Sequence, residues 1–327
     1  MTKSENKRIL VTGGAGFVGA HLVRRLTERG YEVHLLMRPS TNTRRLRYGD
    51  IQYRVKYQYG DLTDEKSIRD LIQKVQPQGI FHLGASTIMS GVAASPEEVM
   101  RVNFSGTVNL LNACQNIPYD FFINTGSFSE YGSYAVPIKE SFNCVLPDPE
   151  DKSYAYAKSK LMTTMECQRQ SLHNEKPIVT FRLFTPYGPY IQKGRLMYNV
   201  LANALYHADI KMTSPEIVRD FIYVDDIVDL YLEGATRAVE YRGEIFNVAS
   251  GVKTSLDEVV QRALAATKSK SRVIWNALPS VSYDSDMIQA DMTKTFSSFR
   301  WRPRYSFEAG LQKTAKWFKE NLNFYQT

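Results

Sequence analysis

The stretch Arg8-Ile9-Leu10-Val11-Thr12-Gly13-Gly14-Ala15-Gly16-Phe17-Val18-Gly19 decides the fold class of this 327-residue chain. Its first five residues are a short apolar run suited to a buried strand, and the glycines that follow break it. From Ala15 to Arg29 the pattern is helical, and Gly30 stands where a helix ends in a residue free to adopt positive φ. Strand, Gly13-x-x-Gly16-x-x-Gly19, helix is the setting in which a glycine turn holds phosphate. One glycine permits the tight turn, one the close approach of backbone to ligand, one the packing of helix on strand. The amides and positive end of the helix then face the anion. The turn predicts a bound dinucleotide pyrophosphate, with Gly13, Gly16, Phe17, Val18 and Gly19 around it.

Outward from this turn, apolar runs alternate with helical segments, as in a parallel α/β sheet. Tyr31–Met37, Val55–Tyr59, Gly79–Leu83, Phe121–Thr125 and Ile178–Leu183 read as further strands. Helices are expected after Thr63 or Asp64, over Pro96–Cys114 and over Ser153–Leu172. Beyond Leu183 the texture changes, with Pro186, Gly188, Pro189 and Gly194 breaking the chain and less regular elements following. The expected fold is α/β, a Rossmann-type doubly wound parallel sheet with a smaller C-terminal substrate-binding lobe. Residues 1–184 form the dinucleotide-binding domain and 185–327 mainly the lobe, with about 219–250 returning to the first domain.

Composition excludes several function classes. Hydrophobic residues make up 43% and charged residues 23%, and no apolar run approaches the eighteen or so residues of a membrane span. The polar N-terminus does not read as a secretory leader, so a cytoplasmic protein is expected. Cys114, Cys144 and Cys167 fit no metal-ligand spacing and read as reduced and structural; no metal is expected. The net charge of +7 is scattered without a basic-aromatic binding motif, which argues against nucleic acid and fits anionic phosphate ligands.

Catalytic residues follow from the chemistry a nicotinamide serves. Reducing a carbonyl needs hydride on the carbon and a proton on the oxygen. A tyrosine supplies that proton when a lysine one helical turn away stabilises its phenolate. Tyr-x-x-x-Lys occurs twice, as Tyr154/Lys158 and Tyr156/Lys160, and the two pairs point about 200° apart on a helix. Periodicity places Ala157, Leu161, Met165 and Leu172 on one apolar face with Tyr154 nearer its centre, and by itself leaves both pairs open.

TGGAGFVG, together with Gly60-Asp61-Leu62, FHLGAS (81–86), Asn103-Phe104-Ser105-Gly106-Thr107, TGSFSEYG (125–132), YAKSKL (156–161), RLFTPYGP (182–189) and RDFIYVDD (219–226), strongly resembles the extended short-chain dehydrogenase/reductase family. The last two motifs look most like its nucleotide-sugar branch. The resemblance implies Tyr156 and Lys160 as the catalytic pair, because the family carries Ser-Lys-Leu at the lysine. It implies Ser127 as the hydroxyl that hydrogen-bonds the substrate oxygen, and Thr125 beside the cofactor through its backbone. It further implies Asp61 and Leu62 at adenine, Leu83, Gly84 and Ala85 near the ribose, and Arg219 on the substrate diphosphate. Thr185 stands where the family commonly has an asparagine near the sugar. Dehydratases of the family place Asp-Glu directly after the hydroxyl residue, and this chain has Phe128-Ser129 instead. Many members pair as homodimers through the catalytic helix.

The cofactor is read at the end of the second strand. An acid there meets the ribose 2′-hydroxyl of NAD, and an arginine suits the 2′-phosphate of NADP. The acid position holds Met37, followed by Arg38, with Arg44, Arg45 and Arg47 in the next loop as further phosphate partners or a solvated basic loop. NADP is expected, with NAD as the alternative. Arg182 and His82 read as structural, Asp225 and Asp226 as caps of a helix over Ile227–Ala238, and Glu130 has no assigned role. The functions that remain are an NADP-dependent reductase of a nucleotide-linked 4-keto sugar (6-deoxy sugars included), a nucleotide-sugar 4-epimerase with resident NAD(P), and a non-catalytic dinucleotide-binding protein.

Overall fold

The computed structural model describes residues 7–48, 51–87, 95–278 and 287–325; residues 1–6, which carry most of the polar N-terminus discussed above, lie outside them. Along the chain run β1 (Arg8–Thr12), α1 (Phe17–Glu28), β2 (Glu32–Met37), α2 (Arg44–Arg47), β3 (Lys56–Tyr59), α3 (Glu65–Val75), β4 (Gly79–His82), α4 (Pro96–Met100), α5 (Gly106–Cys114), β5 (Phe121–Ser127), α6 (Tyr154–His173) and β6 (Ile178–Leu183). Then come β7 (Thr185–Tyr187), α7 (Leu196–Leu205), β8 (Ile210–Lys211), β9 (Val218–Tyr223), α8 (Val224–Thr236), β10 (Ile245–Val248), β11 (Lys253–Ser255), α9 (Leu256–Thr267), β12 (Val273–Ile274), β13 (Met287–Ile288), α10 (Thr293–Ser298) and α11 (Phe307–Glu320).

Seven strands make one sheet in the order β10-β6-β5-β4-β1-β2-β3, every neighbouring pair parallel. Both faces are covered, so the inner strands are apolar throughout. Ile9 and Val11 of β1 enter one core cluster and Leu10 the other, as the two-residue side-chain period of a strand requires. The strand order reverses between β1 and β4, and all seven carboxyl ends lie along one edge. Open α/β sheets bind ligands at this reversal. The remaining strands form a second sheet, with β11, β13 and β7 all pairing with β9, and a small β8–β12 pair. Helices α7, α9 and α11 share a separate core there, built on Val200, Leu201, Val259, Val260, Leu311 and Phe318. No helix among the described residues is long and apolar enough to cross a membrane.

Three local expectations are corrected. Pro96–Cys114 is not one regular helix, because Arg101–Ser105 form a π turn between α4 and α5. The single apolar face read on α6 is divided by the fold: Ala157 is buried, but Met165 and Leu172 are 60% and 63% exposed. The buried face is instead Ser159, Lys160, Thr163, Thr164, Cys167 and Ser171. Small hydroxyl residues bury there because several bond backbone carbonyls and the π turn, which apolar periodicity cannot register. Finally, Asp225 and Asp226 lie within the first turn of α8 and do not cap it; Asp226 accepts from the amides of Arg304 and Tyr305, and Asp225 pairs with His21.

Candidate active site

The glycine turn joins β1 to α1 at the centre of the carboxyl edge. Gly13 has φ of 70°, and a Cβ on it would lie 2.6 Å from the backbone carbon of Leu83. A Cβ on Gly19 would come within 2.2 Å of the Gly13 carbonyl oxygen, so α1 can rest on the turn only without one. The Gly16 amide donates to Gly13 O at 2.9 Å. Gly16 caps α1 with no side-chain bond, and its first turn, which includes Phe17 and Val18, carries no acid. The helix therefore presents its amides and positive end to an anion, and a bare cradle of this kind fits a pyrophosphate.

Arg38 is exposed immediately beyond β2, and Asp61 stands just beyond β3 on the same edge. Asp61 accepts from Thr63 N and Thr63 Oγ1, both at 2.8 Å. Burial opposes its charge, but these bonds and the guanidiniums of Arg38 and Arg101 hold its carboxyl below the usual carboxylate range. The cap of α3 is Asp64, which accepts from Ser67 N. Half-buried Leu62 packs near Gly106, where a Cβ would lie 2.8 Å from it. Arg44 and Arg45 do not sit in a solvated loop. Arg44 donates to Phe324 O at 2.7 Å, and Arg45 donates to Tyr190 O at 2.9 Å and to Ala15 O at 3.4 Å. One carbonyl of the C-terminal segment and one of the loop after β7 thus accept from these guanidiniums. Arg47 remains exposed.

Leu83, Gly84 and Ala85 follow β4 against the glycine turn, held by a buried relay. Gly84 N donates to Thr12 Oγ1 at 3.0 Å, and Thr12 Oγ1 lies 2.7 Å from His82 Nδ1. His82 Nε2 lies 2.8 Å from Thr107 Oγ1, whose proton goes to Asn103 O at 2.5 Å. Thr107 must then accept from Nε2–H, which makes Nδ1 the acceptor from Thr12 and the imidazole neutral. Burial, with Lys160 adding, pushes its pKa down to about 3. From the π turn, Asn103 Nδ2 reaches Ser86 O and Ser159 Oγ, and Asn103 Oδ1 accepts from Ser86 N at 2.7 Å. The glycine-turn side of the edge is thereby tied to α6.

Lys160 is 6% exposed and donates to Thr125 O at 2.8 Å, at the carboxyl end of β5. Thr125 Oγ1 in turn accepts from Tyr231 OH of α8 at 3.1 Å. Tyr156, half-buried one helical turn before Lys160, packs against Val99 and Ala155. The other pair lies elsewhere on α6: the Lys158 ammonium sits 5.4 Å over the Tyr154 ring, in a shallow cleft with Pro96, Glu97 and Arg101. Ser127 ends β5 and is 6% exposed. Its Oγ accepts from Ser129 N at 3.2 Å and Ser129 Oγ at 2.9 Å, while its amide donates to Glu130 Oε1 at 2.7 Å. Glu130 is fully buried and its Oε2 accepts from Arg182 Nε at 2.7 Å. The sequence signals for this arrangement were limited to a carboxylate in the turn after β5 and an arginine inside a strand.

Thr185 begins β7, directly after β6, and is half-buried. Arg219 lies on β9, 8% exposed, with Nη1 donating to Val218 O at 2.8 Å. β7 and β9 are paired, Thr185 opposite Phe221, so both residues belong to one sheet beside the carboxyl edge. Next to Arg219, buried Asp220 accepts from Ser250 N, Ser250 Oγ, Gly251 N and Ala290 N. It ties β9 to the turn after β10. Among the described residues no group of His, Cys, Asp and Glu side chains is arranged to hold a metal ion.

Comparison with known proteins shows the family of the chain. Residues 9–249 match the model of the NAD dependent epimerase/dehydratase family. The chain is 27% identical to UDP-N-acetyl-alpha-D-glucosaminuronate decarboxylase of Bacillus cytotoxicus, over 97% of this chain and 99% of that one. It is 25% identical to dTDP-L-rhamnose 4-epimerase of Burkholderia thailandensis, over 98% and 97% of the two chains. It superposes on the crystal structure of UDP-glucose 4-epimerase from Thermotoga maritima, solved with UDP-glucose, with a TM-score of 0.82 and 25% identity, covering 96% of this chain and 99% of that one.

Proposed function

From the premise that the chain belongs to the NAD dependent epimerase/dehydratase family, as an enzyme of the extended short-chain dehydrogenase/reductase type, we propose that it reduces a nucleotide-linked 4-keto sugar to the alcohol with NADPH. The observation that carries this reading is the end of β2. Met37 occupies the place of the acid that would meet a ribose 2′-hydroxyl, and exposed Arg38 follows it. A guanidinium there favours a 2′-phosphate. Gly13, Gly16, Phe17, Val18 and Gly19 would hold the pyrophosphate, Asp61 and Leu62 the adenine, and Leu83, Gly84, Ala85 and Thr125 the ribose and nicotinamide side. Bound there, the nicotinamide supplies hydride. Lys160, held by Thr125 O, places a cation one helical turn from Tyr156. Tyr156 gives its proton to the sugar oxygen, and Ser127 donates a hydrogen bond to that oxygen as charge develops on it. Arg219 and Thr185 serve the nucleotide diphosphate and the sugar from the lobe beginning at residue 185.

Phe128 and Ser129 argue against dehydration, since neither offers a carboxylate for removing water. A second reading, 4-epimerisation with resident NAD(P), uses the same Ser127, Tyr156 and Lys160; the Burkholderia thailandensis and Thermotoga maritima relatives, both 4-epimerases, favour it. The reading also includes a cytoplasmic homodimer formed through α6, whose exposed Met165 and Leu172 supply apolar contact area.

The deciding experiment incubates purified protein with NADPH and a panel of nucleotide 4-keto sugars, follows loss of NADPH absorbance and identifies the product. NADPH consumed in step with alcohol formed supports the reductase. Tightly bound oxidised cofactor with no net NADPH loss overturns it in favour of the epimerase. Arg38→Asp should weaken NADPH binding at least tenfold and leave NADH binding nearly unchanged; equal NADPH affinity in wild type and variant would remove NADP from the reading.

A further inference from the structure

The turn after β5 holds more than its one assigned residue. Ser127 Oγ accepts two hydrogen bonds, from Ser129 N and Ser129 Oγ. A hydroxyl has two acceptor positions and one proton, so the remaining capacity of Ser127 is to donate. Its backbone is pinned as well: the Ser127 amide is bonded to a fully buried carboxylate oxygen of Glu130, whose other oxygen meets Arg182. Arg182 cannot drift, because its guanidinium lies 4.3 Å from the Tyr131 ring centre and bonds Cys144 Sγ at 3.4 Å. Tyr131 is anchored in turn by Asn247 of β10, 2.8 Å from its hydroxyl. Gly126 is bare where this pair passes, since a Cβ there would lie 2.7 Å from Glu130 Oε1.

A buried ion pair is a costly way to stabilise a fold, because desolvation offsets most of its attraction. Here one carboxylate oxygen is spent on the amide of the residue whose hydroxyl must aim at substrate. We propose that Ser129 and Glu130 are positioning residues that hold Ser127 as an obligate hydrogen-bond donor toward the substrate oxygen, with Arg182 neutralising Glu130. This rests on the reading of Ser127 in the reductase or epimerase mechanism above. Glu130 moves no proton; it fixes the peptide from which Ser127 projects. Ser129 fixes the rotor of the Ser127 hydroxyl.

The test compares holoenzyme with Ser129→Ala, Glu130→Gln and the double variant Glu130→Gln/Arg182→Met, which leaves no unpaired buried charge should Glu130→Gln alone fail to fold. Four quantities are read: kcat and KM on the nucleotide sugar turned over by wild type, the midpoint of thermal unfolding, and the Ser127 amide proton shift in 15N-serine-labelled protein. Ser129→Ala should lower kcat about 10- to 100-fold with KM and unfolding midpoint near wild type, as expected for a misaimed donor. Ser129→Thr, which restores the hydroxyl, should recover most of that loss. The Ser127 amide proton should resonate far downfield in wild type and move upfield in the folded Glu130 variant. Unchanged kcat in Ser129→Ala, or an unmoved Ser127 amide, overturns the proposal. Absence of wild-type turnover on every sugar tested overturns the functional reading instead, and the amide shift still decides whether Glu130 positions Ser127.

Discussion

Tyr154 and Tyr156 differ in almost nothing that composition records; their surroundings separate them. Lys160 is buried with its ammonium on Thr125 O, whereas Lys158 lies over the Tyr154 ring at the surface. Tyr156→Phe should abolish turnover and leave dinucleotide binding intact, since only the proton donor is removed. Tyr154→Phe should keep most of the activity. Steady-state rates with parallel titration of cofactor fluorescence check both; loss of turnover in Tyr154→Phe alone would reverse the assignment. His82 makes a second prediction at this scale. Its folded pKa, about 3, lies below the ordinary histidine value, so between these limits the unfolded chain binds the extra proton. Its stabilising contribution is complete above pH 6.5 or so and is lost as the pH falls toward 3. The urea midpoint should therefore drop between pH 7 and pH 5, and His82→Gln should make that drop smaller. The core placement of His82 was legible in the apolar run around it. Its tautomer was not, because the Thr12 and Thr107 hydroxyls that set it come from separate elements.

Among the elements, α1 and α6 show opposite degrees of legibility. Everything needed for α1 is local: a strand, three glycines at fixed spacing and an apolar stripe. Gly19→Ala should abolish dinucleotide binding in calorimetric titration, because its Cβ meets the Gly13 carbonyl of a turn that cannot yield; unimpaired binding would remove the turn from the site. For α6 the boundaries were readable and the buried face was not. Thr163, Ser159 and Lys160 are buried because the π turn at Asn103 and the end of β5 supply partners for them. Periodicity ranks residues by apolarity and so selected Met165 and Leu172, which lie in the open.

For the molecule as a whole, the turn Leu322–Tyr325 reaches back to the segment after β2. Phe324 and Tyr325 are 5% and 7% exposed in the second core, Phe324 O receives Arg44, and Tyr325 OH donates to Ile191 O at 2.8 Å. Ending the chain at Asn321 should cost about 3 kcal/mol or more in stability, the usual loss for an emptied aromatic site, and should also weaken NADPH binding by loosening the segment that follows Arg38. Chemical denaturation and cofactor titration measure the two effects. If binding is unchanged at a lower stability, the C-terminal segment serves the second core alone.

What the sequence determined unaided is whatever depends on neighbours in the chain: the strand–turn–helix around Gly13–Gly19, the alternation that builds a parallel sheet, and the i, i+4 spacing of Tyr156 and Lys160. The tertiary structure alone decided which partner each polar group takes. It brought Arg44 and Arg45 to the carbonyls of Phe324 and Tyr190, and Arg182 to Glu130 behind Ser127. The reason is physical. Backbone geometry follows from local sterics and periodicity, whereas satisfying a buried charge or carbonyl depends on groups distant in sequence that only folding brings into reach.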